Sequence, residues 1–307
     1  MSVNERFMKI NRSKIRPGFL TGRHPVSLLV FFVCVTGISM FSKNPAVLFM
    51  SMFFSITSLA KLKGLGGMLR FLRTMLVLAL LTAVINPLFN HRGRTVLARF
   101  HNGQPLTLEA CFYGLYAAMI LISVLAWFSC FNHCFDTDKL LYLFGRFSPR
   151  LSLMLSMSLR FVPEFAAKAK EISGIQRMLA GGNRGIIQKI KNGTAVFGSL
   201  LTWVLEGSVM RSESMRMRGY GVAKRKMYSA YKWEAEDTAF TALSLVFTGI
   251  YLALLYAGSF KFWFYPYVYG RIFAPQAVAG YLTLALLMCL PLIFDNRLEG
   301  RRIREHA

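Results

Sequence analysis

Six stretches of the chain are almost wholly apolar, each close to the roughly 20 residues that cross a bilayer as a helix. They cover residues 25–42, 44–60, 74–90, 108–131, 238–258 and 276–294. The first two are short and close together, which suits a tight helical hairpin joined at "KNP". Between the fourth and fifth stretches the pattern changes. Leu151, Met154, Leu155, Ser158, Leu159, Val162, Phe165, Ala169, Ile172 and Ile175 recur at spacings of three and four, the stripe of an amphipathic helix. Arg160, Glu164, Lys168, Lys170 and Glu171 fall on its opposite face. Pro163 predicts a bend, because proline removes a helical hydrogen bond. Gly181, Gly182 and Asn183 predict the end of this helix. A basic turn, "NRGIIQKIKNG", follows. A second stripe then runs through Phe197, Leu200, Leu201, Val204, Leu205, Ser208, Val209, Ser212 and Met215, and stops at Gly219.

The pattern predicts an all-α integral membrane protein of about six transmembrane helices. Long amphipathic helices are inserted between the fourth and fifth spans. The expected divisions are an N-terminal membrane part (1–131), a cytoplasmic helical region (132–237) and a C-terminal membrane part with a basic tail (238–307). The first apolar run follows a basic segment without a small-residue cleavage site, so it is expected to stay as the first span.

Charge adds an orientation. The 307 residues carry a net charge of +23 and are 54% hydrophobic. Residues 1–23 hold six Lys/Arg against one acid, residues 61–73 hold four and no acid, and residues 132–237 hold seventeen against nine acids. Arg297, Arg301, Arg302 and Arg304 follow the last span. Basic loops stay in the cytoplasm, which places both termini and the long middle region there. Nucleic acid is not the expected partner, since no basic domain stands free of apolar spans. The spans hold no acidic residue, with Glu109 at an outer edge. Ionisable groups at depth mark ion and proton pathways, so a proton-coupled carrier is not the expected class.

Catalytic signatures are missing. No G-x-x-x-x-G-K-[ST], H-E-x-x-H or G-x-S-x-G occurs, so neither an ATP site of that type nor a hydrolase is expected. Cys130, His133 and Cys134 stand together, but no second ligand pair at zinc spacing follows. No cofactor is expected. What remains is two helix tips. One is "IQRMLAGGNRG", with Gln176 and Arg177; the other is "SMRMRGYG", with Arg216, Met217, Arg218 and Gly219. Cations suit the negative end of the helix dipole, and glycine suits the left-handed residue beyond it. Two such tips also make a docking surface for an acidic partner.

At these residues the chain resembles the transmembrane T component of energy-coupling factor (ECF) transporters, the EcfT/CbiQ family. The resemblance covers nearly the whole chain. "TDKLLYLFGRFSPRLSLMLSMSLRFVPEF" and "LLTWVLEGSVMRSESMRMRGYG" carry it most strongly, with "HPVSLLVFF…KNP", "NPLFNHRG" and "LTLEACFYGLYAA" in support. It implies two cytoplasmic coupling helices, each ending in an Ala-Arg-Gly-like triad that docks into a groove of one of two ABC ATPases. It also implies a separate membrane-embedded S component that binds a vitamin or transition metal ion. The second triad maps onto Met217, Arg218 and Gly219, with Met in place of Ala. The first would fall on Met178, Leu179 and Ala180 after Gln176 and Arg177. No arginine occupies that triad, and Arg177 or Arg184 takes its place in this reading. Unequal tips would suit two different ATPases. Arg218 is expected to contact an ATPase acid, Gly219 to allow close approach, and Glu206 and Glu213 to pair locally within the bundle. The rival classes are a stand-alone carrier, for which the spans lack polar lining, and a membrane scaffold whose basic loop binds anionic lipid.

Overall fold

The structure, a computed structural model, describes residues 22–90, 95–99, 105–179, 185–222, 231, 233–258, 262–263, 269–270 and 275–305. Among them are eight helices and four short strands. The chain divides into two compact units: a bundle formed by Met1–Asp136 with Tyr231–Ala307, and a hairpin unit formed by Thr137–Ala230. Five helical stretches are long and apolar enough to cross a membrane: Pro45–Phe89, Leu108–Cys134, Lys189–Met217, Ala235–Tyr256 and Ala277–Phe294. The chain is therefore all-α and of membrane type.

In the bundle, α1 (Pro25–Phe41) starts with proline at its first turn, and the His24 ring accepts from the backbone N–H of Val26 at 3.3 Å. Both features satisfy the free end of a helix. A three-residue turn leads to α2 (Pro45–Phe89), capped in the same way by the Asn44 side chain accepting from Ala46 at 3.0 Å. This is the hairpin expected at "KNP".

α2 is not one rod. Gly64 interrupts it with φ 73° and ψ 167°, a region open essentially to glycine alone. The contacts with α3 (Leu108–Cys134) show what the break does. Ser51 meets Ser123 at 2.7 Å and Lys63 donates to Ser129 at 2.7 Å, so the first half runs alongside α3 in the same direction. Gly114, near the start of α3, faces the Ala83 carbonyl, Asn86 and Pro87. A straight helix would carry Ala83 about 30 Å beyond Lys63; instead the second half returns. The two spans expected here are thus two antiparallel halves of one helical element. The residues between them, 61–73, were expected as a loop and are helical on both sides of Gly64.

Residues on α1 act as a ruler for the remaining helices. Phe31 and Phe32 lie against Trp127 and Phe131 of α3, while Tyr116 donates to the Ser42 carbonyl at 2.6 Å. α3 therefore runs opposite to α1. α7 (Ala235–Tyr256) runs with it, because Phe240 packs on Phe31 and Tyr251 reaches Ser42. α8 (Pro275–Glu305) runs opposite again, with Phe294 on Phe240 and Tyr281 on Asn44. The starts of α1 and α7, the Gly64 reversal and the ends of α3 and α8 consequently share one end of the bundle.

Aromatic rings fill the centre: Phe31 lies edge-on to Trp127 at 6.0 Å and tilted against Phe240 at 5.3 Å, contacts that add to their burial. Small hydroxyls let the helices approach: Ser39 meets Ser51 at 2.6 Å, and the Trp127 indole N–H donates to Ser51 at 3.0 Å. At the opposite end two short antiparallel ribbons appear that the hydrophobic pattern does not predict. β1 (Val96–Arg99) pairs with β2 (Pro105–Thr107), and β3 (Phe262–Trp263) with β4 (Tyr269–Gly270). Paired over so few residues, each ribbon is a connector between long helices.

The hairpin unit holds α4 (Thr137–Phe147), α5 (Pro149–Leu179) and α6 (Ile186–Met217). Ser148 alone separates α4 from α5, which opens on Pro149, a break the stripe pattern does not mark. α6 begins at Ile186, so most of the expected basic turn is its first two turns. The expected stop at Gly181–Asn183 lies outside the described residues.

Candidate functional site at the helix tips

α5 and α6 pack antiparallel. Arg211 of α6 reaches Phe161 and Glu164 of α5, whereas Trp203, earlier in α6, reaches Phe165 and Lys168, later in α5. The Arg211 guanidinium donates to Glu164 Oε1 at 2.8 Å and lies 4.3 Å from the Phe161 ring centre and 5.8 Å from that of Trp203. A planar cation between two rings and a carboxylate combines ion pairing with cation–π attraction. Gly207 makes room for it: a Cβ there would stand 3.1 Å from Arg211 Nη1. The Phe165 and Trp203 rings meet edge-on at 6.0 Å.

The packed face differs from the expected one. On α6 the less exposed positions are Asn192, Val196, Leu200, Trp203, Val204, Gly207, Arg211 and Met215, which, Val204 apart, form a run at spacings of three and four. Six of the nine residues of the expected α6 stripe, Phe197, Leu201, Leu205, Ser208, Val209 and Ser212, are exposed. On α5, Leu151, Met154 and Val162 are likewise exposed. Glu164 and Lys168, expected on the solvent face, instead meet α6. Glu206 and Glu213, expected to pair locally, form no ion pair among the described residues; Glu164–Arg211 and Lys168–Glu171 do. Sequence reasoning missed Arg211 because it ranked arginine as polar. The four-residue run Trp203, Gly207, Arg211, Met215 was the available signal.

α6 ends in a Schellman motif. Tyr220 N–H donates to the Met215 carbonyl at 3.1 Å, and Gly219 N–H to Arg216 at 2.9 Å. Gly219 takes φ 77°, the left-handed position where glycine carries no Cβ penalty. Gly221, at φ 96°, continues the turn, and Val222 N–H donates back to Gly219 at 3.3 Å. Arg218 is the C-cap residue itself. The reversal presents Arg216, Met217, Arg218 and Tyr220 to solvent together, with Met217 85% exposed. A basic and apolar knob thus stands on a helix whose end is fixed by backbone hydrogen bonds.

The other tip is plainer. Gln176 is half-buried, while Arg177, Met178 and Leu179 are exposed on the last turn of α5. Ala180 and Arg184 lie outside the described residues. Because the helices are antiparallel, Arg177 and Arg218 do not come together. Counting 1.5 Å per residue outward from the Phe161–Arg211 contact separates them by about 35 Å along the hairpin. The unit therefore carries two exposed basic ends.

No family model matches this chain, and no curated protein matches it.

Proposed function

We propose that this protein is the membrane coupling subunit of an ECF-type ABC importer. In this reading it is a non-catalytic, multi-pass protein of the cell's plasma membrane. It passes ATP-driven movement of two ABC ATPases to an S component that captures a vitamin or transition metal ion. The observation that carries the proposal is the α6 tip: Arg218 and Met217 are exposed on a hydrogen-bonded reversal at the end of a helix stiffened by the Arg211–Glu164 clasp. A lever that transmits force needs a rigid arm and a fixed, exposed contact point. Arg218 would donate a charge-assisted contact to an ATPase carboxylate. Gly219 would let the surface of the ATPase approach closely. Arg177 and Gln176 would form the second, weaker contact on the other ATPase, with Arg216 flanking the first.

The bundle supports the topology. In this reading α1, the two halves of α2, α3, α7 and α8 would make six crossings, in keeping with their helical directions in the bundle. α3 ends and α7 begins at the same end, so the chain between them crosses an even number of times. α6 qualifies for a crossing by length and composition, but it is the least apolar of the five, and α5 does not qualify. Basic-loop bias would place residues 132–237 in the cytoplasm, as it does segments 1–23, 61–73 and 295–304 and with them both termini.

The test is co-purification of the tagged chain with ABC ATPases encoded beside it. Wild type should retain both ATPases in detergent, and Arg218→Glu should lose the ATPase that docks on the α6 tip while remaining folded in the membrane. Wild type that captures no ATPase overturns the proposal. The exposed Phe197–Val209 stripe favours one alternative, a scaffold whose hairpin lies on anionic lipid. Arg218→Lys separates the two, because lipid binding needs only charge whereas a fork-shaped carboxylate contact weakens.

A further inference from the structure

The chain leaves the bundle after α3 and returns at Tyr231. Four residues later it enters α7. That return point is held by a buried ionic cluster whose members lie more than two hundred residues apart. Arg23, directly before α1, is 5% exposed. Its guanidinium contacts Glu236, Asp237 at 3.5 Å and Glu234 at 3.9 Å. Asp237 is 2% exposed and gathers further donors: the His24 N–H at 3.4 Å, the Ser27 hydroxyl at 3.5 Å and the Glu234 N–H at 3.2 Å. Its carboxylate also sits in the first turn of α7, where the helix dipole favours an anion. Trp233 lies edge-on to the His24 ring at 4.6 Å and donates to Thr238 at 2.6 Å.

Separating these groups would leave buried charges without partners, which is costly. The start of α7 and the start of α1 therefore move as one piece. The alternative, a link that bends at residues 231–237, would absorb movement before it reached the spans. We propose that Arg23 and Asp237 lock the starts of α1 and α7 together, so that a displacement reaching the start of α7 moves α1 and α7 as a pair. Arg23 acts as a positioning residue in transmission. This inference rests on the coupling-subunit reading.

The experiment uses the full complex with both ATPases and the S component, reconstituted in liposomes. It measures substrate taken up per ATP hydrolysed for wild type, Arg23→Gln and Arg23→Lys. Arg23→Gln should keep its ATPases and hydrolyse ATP, while uptake per ATP falls about ten-fold, the scale of a lost coupling between sites. Arg23→Lys should recover part of the ratio by keeping the charge. A purely structural role would lower the amount of assembled complex and spare the ratio, and an unchanged ratio in assembled Arg23→Gln overturns the anchor. If Arg23→Gln does not accumulate, Arg23→Lys decides alone: a wild-type ratio overturns the anchor and a reduced one supports it. A wild-type chain that captures no ATPase overturns the coupling reading and the transmission role with it. Normal wild-type coupling beside an equally coupled variant overturns the anchor alone.

Discussion

Arg211 shows how one residue can set the geometry of an arm without touching a partner. Its guanidinium fills the space left by Gly207, covers Phe161 and bonds Glu164. Both members of the ion pair are about a third exposed or more, so the pair contributes little by itself. Exposed pairs contribute about 0.2–1 kcal/mol, and a cation over a ring about 0.5–2 kcal/mol. Arg211→Ala should therefore destabilise the hairpin unit by about 1–2 kcal/mol. A double-mutant cycle with Glu164→Gln, read by thermal unfolding in detergent, should assign less than about 1 kcal/mol of that to the carboxylate. A coupling well above that value would mean the pair is drier than its exposure indicates. Arg211→Lys should not restore the loss, because an ammonium cannot lie flat between two rings.

Among the elements, α2 is the one whose continuity hides a reversal. Gly64 alone departs from helical geometry in its 45 residues. A side chain at φ 73° and ψ 167° costs about 1–3 kcal/mol. Gly64→Ala should accordingly lower thermal stability by that amount. Gly66→Ala, two residues on in open space and at a helical backbone, should change it little or raise it slightly. Equal loss at both positions would show that the break does not depend on glycine. The hairpin helices make a second point at this scale. α5 and α6 each carry more apolar surface than one packed face uses, which is why a single stripe read from sequence merged a buried face with an exposed one.

For the whole molecule the decisive relation is which ends lie together. If the bundle spans the membrane as proposed, single cysteines at Lys43 and at Arg70 lie on opposite sides of it. In a cysteine-free background, an impermeant thiol reagent added to intact cells should label Lys43→Cys and spare Arg70→Cys until the membrane is opened. Labelling of both from outside would overturn the reversal at Gly64 or the assignment of that end to the cytoplasm. Added cysteines at Met178 and Met217 should both resemble Arg70→Cys if the Lys/Arg excess of residues 132–237 keeps that region in the cytoplasm.

Local chemistry settled a definite part of this protein in advance. Runs of apolar residues long enough to satisfy their own backbone in lipid had to be helices. The three-and-four spacing after Leu151 had to be amphipathic helix, and glycine after a basic turn had to end one; Gly219 does so. These are short-range effects, written in neighbouring residues. Contacts between distant residues decided the rest. Whether residues 61–73 bend away or fold back depends on α3. Which residues of α6 pack against α5 depends on Phe161, Glu164 and Phe165. The cluster of Arg23 with Asp237 joins residues more than two hundred positions apart, and no periodicity brings them to notice. Charge and hydropathy are read one residue at a time, whereas burial and pairing are properties of the space between helices, which only the tertiary structure defines.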